Sequence, residues 1–232
     1  MLRTALAAGI EIESVYVAAD ANDSATRDAA QAALDAGARL FALAPGVLER
    51  VANTVTPQPI MTVLPMLDVP TLGAGDDPNL VVVMVDVRDP GNAGTVLRTA
   101  DAAGVGRVVF SGDSVDPYNP KTVRASAGSL FHVPFSLHDD AVALARDYRA
   151  AGYRTWATLV HHGEDYANIE WNTPSALFLG NESSGLPQGV IDAVDGSVIV
   201  PMQGQAESLN VAVACAVVCF EALRQRRRGA HT

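Results

Sequence analysis

The residues of this chain best suited to chemistry stand in three short polar islands set between apolar runs. Residues 89–98 read Asp-Pro-Gly-Asn-Ala-Gly-Thr-Val-Leu-Arg, residues 179–187 read Leu-Gly-Asn-Glu-Ser-Ser-Gly-Leu-Pro, and residues 201–210 read Pro-Met-Gln-Gly-Gln-Ala-Glu-Ser-Leu-Asn. Arg98 offers a permanently charged guanidinium that can hold an anion or a developing oxyanion. Glu182 can accept hydrogen bonds from neighbouring loops and fix their geometry. Backbone groups near Gly180, Val200, Met202 and Leu209 can cradle a ligand with apolar and polar parts, such as a nucleoside. Each polar side chain also has an ordinary use. Asn92 is a good cap for the helix that follows it. Ser208 can cap the last helix, with Asn210 in its first turn. Arg98 taken alone reads as a surface cation, and Glu182 as a solvated loop residue.

The elements around the islands explain why they belong together. Each island follows a strand-like run, at 80–86, 176–179 and 198–200. Polar loops directly after parallel strands are where open α/β sheets bind ligands, so three of them predict one composite site. The pattern from residue 80 onward alternates. Strands are predicted at 80–86, 107–110, 130–135, 153–159, 176–179 and 197–200, and helices at 93–104, 121–127 and 139–151. A long helix at 208–227 closes the chain. This predicts an α/β fold with a mainly parallel sheet covered by helices. A smaller α/β module precedes it, with strands at 12–19, 39–43 and 60–64. Its helices are predicted at 24–36, capped by Asp23 or Ser24, and at 45–51. The Pro/Gly/Asp-rich stretch 68–79 reads as a linker, dividing the chain into residues 1–72 and 73–232. Residues 211–220 are apolar on every helical face, which demands burial all round. Either this is a core helix of a monomer, or a second chain covers part of it.

Composition narrows the function. The chain has 232 residues and a net charge of −10, which argues against general coating of nucleic acid but leaves room for a local basic surface. Lys121 is the lone lysine among sixteen cations, and arginine suits bidentate phosphate recognition. Arg224, Arg226, Arg227 and Arg228 read first as a solvated helix end that favours the helix dipole. No apolar run reaches the ~18–20 residues that span a bilayer, and the start lacks a signal-peptide pattern, so a cytoplasmic protein without a membrane partner is expected. Cys215 and Cys219, four apart, read as buried small hydrophobes rather than a metal pair, and no metal-ligand constellation is present. The glycine-rich dinucleotide fingerprint, the phosphate loop, the zinc-protease helix and the esterase elbow are all missing, and His161-His162 reads as loop.

Together the islands resemble the three motifs of the SpoU/TrmH RNA 2′-O-ribose methyltransferases of the SPOUT superfamily. The run Asn119-Pro-Lys-Thr-Val-Arg-Ala-Ser-Ala-Gly128 is also similar to that family. The likeness covers about residues 80–225 in order. It implies a C-terminal trefoil knot, S-adenosylmethionine as methyl donor, and a homodimer through the knotted region. Residues 1–72 resemble the ribosomal-protein-like RNA-recognition domain of many members. Members with this domain usually begin with a further helix and strand upstream, which leaves two readings open: the true start lies upstream, or the domain is trimmed. The resemblance implies cofactor contacts from Gly180, Val200, Met202, Leu209 and Thr158. It implies catalytic roles for Arg98, Asn92, Glu182, Ser208 and Asn210, with Arg98 activating the 2′-hydroxyl or holding the adjacent phosphate. The proton acceptor is left open between Arg98 and water. Arg88, Arg98, Lys121 and Arg124 are the expected RNA contacts, with ribosomal RNA, 23S in particular, ahead of tRNA as substrate. A catalytically idle RNA-binding or ribosome-assembly factor on the same fold is the competing reading.

Overall fold

In the computed structural model, which describes residues 1–52, 56–67 and 79–229, the chain divides into two units, Met1–Asp68 and Val69–Thr232. The expected boundary at residue 72, and nearly all of the 68–79 linker, lie outside the described residues. In the first unit the order is α1 (Leu2–Ala7), β1 (Ser14–Ala18), α2 (Ser24–Asp35), β2 (Arg39–Leu43), α3 (Val47–Val51) and β3 (Ile60–Val63). The sheet runs β2-β1-β3, with β1 parallel to β2 and antiparallel to β3. Asp23 caps α2 by accepting the Thr26 amide at 2.7 Å. Ala29, Ala30 and Ala33 are buried on the inner stripe of that helix. The sequence pattern did not foretell α1, whose six residues are too few to show a helical period.

The second unit contains β4 (Leu80–Val85), α4 (Pro90–Ala103), β5 (Arg107–Ser111), α5 (Pro120–Ala125) and β6 (Phe135–His138). These are followed by α6 (Ala141–Ala150), β7 (Arg154–Thr158), β8 (Glu164–Asp165), β9 (Ser175–Leu179), α7 (Gln188–Ala193), β10 (Gly196–Ile199) and α8 (Val211–Gly229). The seven-stranded sheet has the order β6-β5-β4-β9-β7-β10-β8, and every pairing in it is parallel. All residues of β4, β5 and β9 are buried, as a parallel sheet covered on both faces requires. Val81, Val83 and Val85 join Leu144, Tyr148 and Val190 in one core. Alternation sends Val82 and Met84 to the other face. There α4 packs against α5 and α8, close enough that a Cβ on Gly94 would lie 2.4 Å from the Ala125 Cβ.

One local expectation needs correction and two short elements were not foreseen. Residues 130–135 do not form a strand. Ser129–Phe131 make a 3-10 turn, and β6 begins only after Pro134, which has no amide to give a ladder. The short α7 and β8 lay between stronger signals. On α8, Val213 and Phe220, one face seven residues apart, are nearly half exposed, so a single chain leaves part of this helix uncovered, as the reading with a second chain requires. Cys215 and Cys219 are fully buried, with Sγ atoms 3.7 Å apart. Their hydrogen bond, with burial, pushes the Cys215 thiol well above its usual range. No helix among the described residues is long and apolar enough to cross a membrane.

Parallel pairing positions the site. β4, β9, β7 and β10 are consecutive in the sheet and point the same way. The loops leaving β4, β9 and β10 carry the three islands, and β7 ends at Thr158, so all four meet at one edge.

Candidate functional site

Helix capping decides which side chains are available there. Asp89, not Asn92, caps α4. Its carboxylate accepts the Asn92 amide at 2.8 Å, and Pro90 occupies the first helical turn, where a missing N–H costs nothing. The Asn92 side chain is therefore released from capping. Its Nδ2 donates to Glu182 Oε1 at 2.8 Å, and its Oδ1 accepts from Asn210 Nδ2 at 2.8 Å. Asn210, not Ser208, caps α8, its Oδ1 accepting the amides of Ala212 at 2.9 Å and Val213 at 3.3 Å.

These bonds form a directed chain. An ionised carboxylate only accepts and a helix amide only donates, so both asparagine amides have one satisfactory orientation. One residue from each island takes part. Displacing any of the three loops breaks a bond in the chain, so the arrangement couples their positions.

The loop after β9 has its own organiser, Asn181, which the sequence reading passed over. Its Nδ2 donates to the Asp86 carbonyl at 2.7 Å, tying this loop to the end of β4. Its Oδ1 accepts from the amides of Ser183 and Ser184 and from both hydroxyls, and its backbone pairs with Gly185 in both directions. The signal was present as an Asx turn, Asn followed two residues later by Ser within a Gly-bounded loop. Gly180 is required by contact rather than by dihedral. A Cβ there would sit 2.4 Å from the Gly185 carbonyl carbon and the Leu186 nitrogen.

A pocket of about 440 Å³ opens at this edge, lined by Thr158, Gly180, Val200, Met202 and Leu209, with Glu182 and Ser208 also in its wall. All five residues expected to contact a cofactor thus surround one space. Leu159, Ile191, Val198, Ile199 and Val211 supply apolar surface. The Thr158 hydroxyl donates to the Phe178 carbonyl at 2.8 Å, which bolts the end of β7 to β9.

The expected RNA contacts lie elsewhere. Arg98 is exposed on α4, on the stripe that includes Gly91 and Thr95, and does not line the pocket. Arg88 pairs with Asp113 at 3.1 Å and borders a second hollow, shared with Asp86, Asp89, Glu182 and the two serines. Lys121 and Arg124 are exposed on α5, which Asn119 caps.

Comparison with known proteins accounts for this arrangement. The profile of the SpoU rRNA Methylase family matches residues 79–220. This chain belongs to the SpoU family. It is an S-adenosylmethionine-dependent RNA 2′-O-ribose methyltransferase. It is 36% identical over 188 residues to the 23S rRNA (guanosine(2553)-2′-O)-methyltransferase RlmP of Bacillus subtilis, covering 81% of this chain and 73% of the relative. A 23S rRNA (uridine(2479)-2′-O)-methyltransferase of Streptomyces viridochromogenes is 35% identical over 200 residues, covering 82% and 68%. The crystal structure of the SpoU methyltransferase AviRb from S. viridochromogenes, in complex with AdoMet, superposes with a TM-score of 0.83 at 28% identity, covering 99% of this chain and 90% of that one.

The residues present fit that cofactor. The pocket has the size of a small-molecule site. Its apolar wall suits an adenine ring, the backbone edges at Gly180 and Met202 suit polar groups, and the Glu182 carboxylate offers charge complementary to a sulfonium.

Proposed function

We propose that this SpoU methylase modifies a ribose 2′-hydroxyl of 23S ribosomal RNA. The observation that carries the reading is the Asn210–Asn92–Glu182 chain, which holds all three loops around one pocket. Two relatives at about a third identity are named as 23S rRNA enzymes, and this favours that RNA over tRNA. Action on ribosomes would place the protein in the cytoplasm.

Thr158, Gly180, Val200, Met202 and Leu209 hold the methyl donor, which supplies an electrophilic methyl group when bound. Asn92, Glu182 and Asn210 act as positioning residues that keep the loops in register. Ser208, in the pocket wall, orients the ribose. Arg98 is the catalytic residue. Its role is to hold the phosphate beside the target ribose and to stabilise charge that develops on the 2′-oxygen as its proton leaves to water. Lys121 and Arg124 contact the RNA backbone nearby, and Arg88 does so by exchanging its exposed Asp113 partner for phosphate. Residues 1–72 recognise the RNA substrate, and residues 73–232 form the catalytic domain with the trefoil knot of its superfamily.

The enzyme acts as a homodimer, for which the exposed stripe of Val213 and Phe220 on α8 provides an apolar seam. Mass spectrometry of 23S rRNA and tRNA incubated with enzyme and S-adenosylmethionine tests the substrate. A new 2′-O-methyl confined to 23S rRNA is expected. Modification of tRNA alone, or RNA binding without methyl transfer, refutes the reading.

A further inference from the structure

The opposite edge of the sheet carries a second feature, unrelated to the three islands. Arg154 begins β7, and Asp195 immediately precedes β10. With Arg146 and Arg149 of α6 they line an open hollow of about 520 Å³, floored by Gly152 and Tyr153. Thr158, at the other end of β7, lines the donor pocket. Four residue steps along β7 separate Arg154 from Thr158, roughly 13 Å. The short α7 bridges them, since Ile191 lines the donor pocket and the Ala193 carbonyl accepts from Arg149 at 3.0 Å.

The three guanidiniums are not equivalent. Arg149 is committed to the fold, with Nε 2.8 Å from Asp195 Oδ1. Asp195 is itself fixed by the amide and hydroxyl of Thr155, both at 2.9 Å. Burial pushes the Asp195 carboxyl upward, but these hydrogen bonds and Arg149 outweigh it and leave it below its ordinary value. Arg154 lies over the Trp156 ring, 5.6 Å from its centroid, which holds the guanidinium plane while leaving its N–H edge unused. Arg146 is exposed. The guanidiniums of Arg146 and Arg154 make no hydrogen bond or close ion pair with another described residue. The hollow thus sets three cations against one carboxylate in a chain of net charge −10.

We propose that the Arg146–Arg149–Arg154 hollow is a docking site for the phosphate backbone of the RNA substrate, remote from the reacting ribose. An acidic protein gains no attraction for a polyanion from its net charge, so its hold on RNA depends on placed cations. Planar guanidiniums with free N–H edges match phosphate oxygens bidentately. An open hollow admits a backbone that passes across it. This inference rests on the ribosomal RNA reading.

The test compares wild-type enzyme with the double variant Arg146→Gln/Arg154→Gln, leaving Arg149 in place. Affinity for a 23S rRNA transcript is measured against salt, alongside methyl-transfer kinetics. Loss of two phosphate contacts lowers the slope of log affinity against log salt by about 1.4–1.8. KM for RNA rises while kcat and S-adenosylmethionine affinity stay at wild-type values. An unchanged slope overturns the proposal even if affinity falls, because a lost ionic contact must reduce the salt dependence and such a fall is then not electrostatic. A fall in kcat alone also overturns it. If the wild type binds rRNA without transferring methyl, the functional reading fails while the slope still decides the role of the hollow.

Discussion

The two edges of the seven-stranded sheet are built from opposite chemistry. At the edge where the strands end, three loops are locked by asparagine amides, a carboxylate and backbone groups around an apolar pocket. At the edge where they begin, arginines line an open hollow, and only Arg149 among the three is tied down, by Asp195 and the Ala193 carbonyl. The difference fits the two ligands proposed for these edges. A small ligand with an adenine ring and a cationic sulfur needs shape, backbone groups and one negative charge. A polyanion needs cations and little shape. An edge formed by strand ends can be shaped finely because four parallel strands aim their loops at one place.

The largest expected effect comes from Arg98, the proposed catalytic cation. Arg98→Ala should lower kcat by about 10²–10³, while calorimetry shows unchanged S-adenosylmethionine binding, because Arg98 does not line the pocket. Wild-type turnover would remove Arg98 from catalysis. Next is the lock itself. Asn92→Asp replaces the donor to Glu182 with a second carboxylate, so like charges meet where a hydrogen bond stood. Donor affinity should fall by about tenfold or more, and further than in Asn92→Ala. Equal losses in the two variants would mean that the chain is not directional. Gly180→Ala should also weaken donor binding, by forcing apart two backbone segments that approach to 2.4 Å of the added Cβ. The overpacking should cost about 1–3 kcal/mol by chemical denaturation.

The smallest effect belongs to the other edge. Asp195→Ala leaves Thr155 and Arg149 without their partner and should cost about 1–3 kcal/mol of stability, with donor affinity unaltered. Its pH dependence has a defined sign. The folded carboxyl titrates below its ordinary value, so its contribution is complete above about pH 4 and fades as pH falls through that lowered value. Wild type and variant should therefore converge in stability toward low pH. A gap that widens on acidification would contradict the assignment. Independently of both edges, Phe220→Asp on α8 should give a monomer by light scattering if that stripe is the dimer seam.

Much of this was legible in the sequence because it was local or periodic. Apolar runs marked most of the strands, glycines marked the helix stops, and the polar islands after strands marked one site. Side chains with two plausible jobs were not settled by pattern. Asn92 and Ser208 both read as caps, yet the caps are Asp89 and Asn210, and the choice is made by which backbone amides point at which carboxylate or amide oxygen. That geometry is three-dimensional, as is the pairing of residues 90 and 118 positions apart that joins the islands.

The sequence by itself determined the strand–helix alternation and the acidic character of the chain, because hydrophobic period and composition are properties of short windows, while the residues expected around the pocket came from the polar islands and their resemblance to the SpoU motifs. Only the tertiary structure decided that β4, β9, β7 and β10 are neighbours, that Asn181 ties two loops together, and that α8 keeps one apolar stripe uncovered. Only it gathered Arg146, Arg149 and Arg154 into one hollow. These follow from strand order and helix docking, which depend on contacts between residues far apart in the chain and leave no period to read.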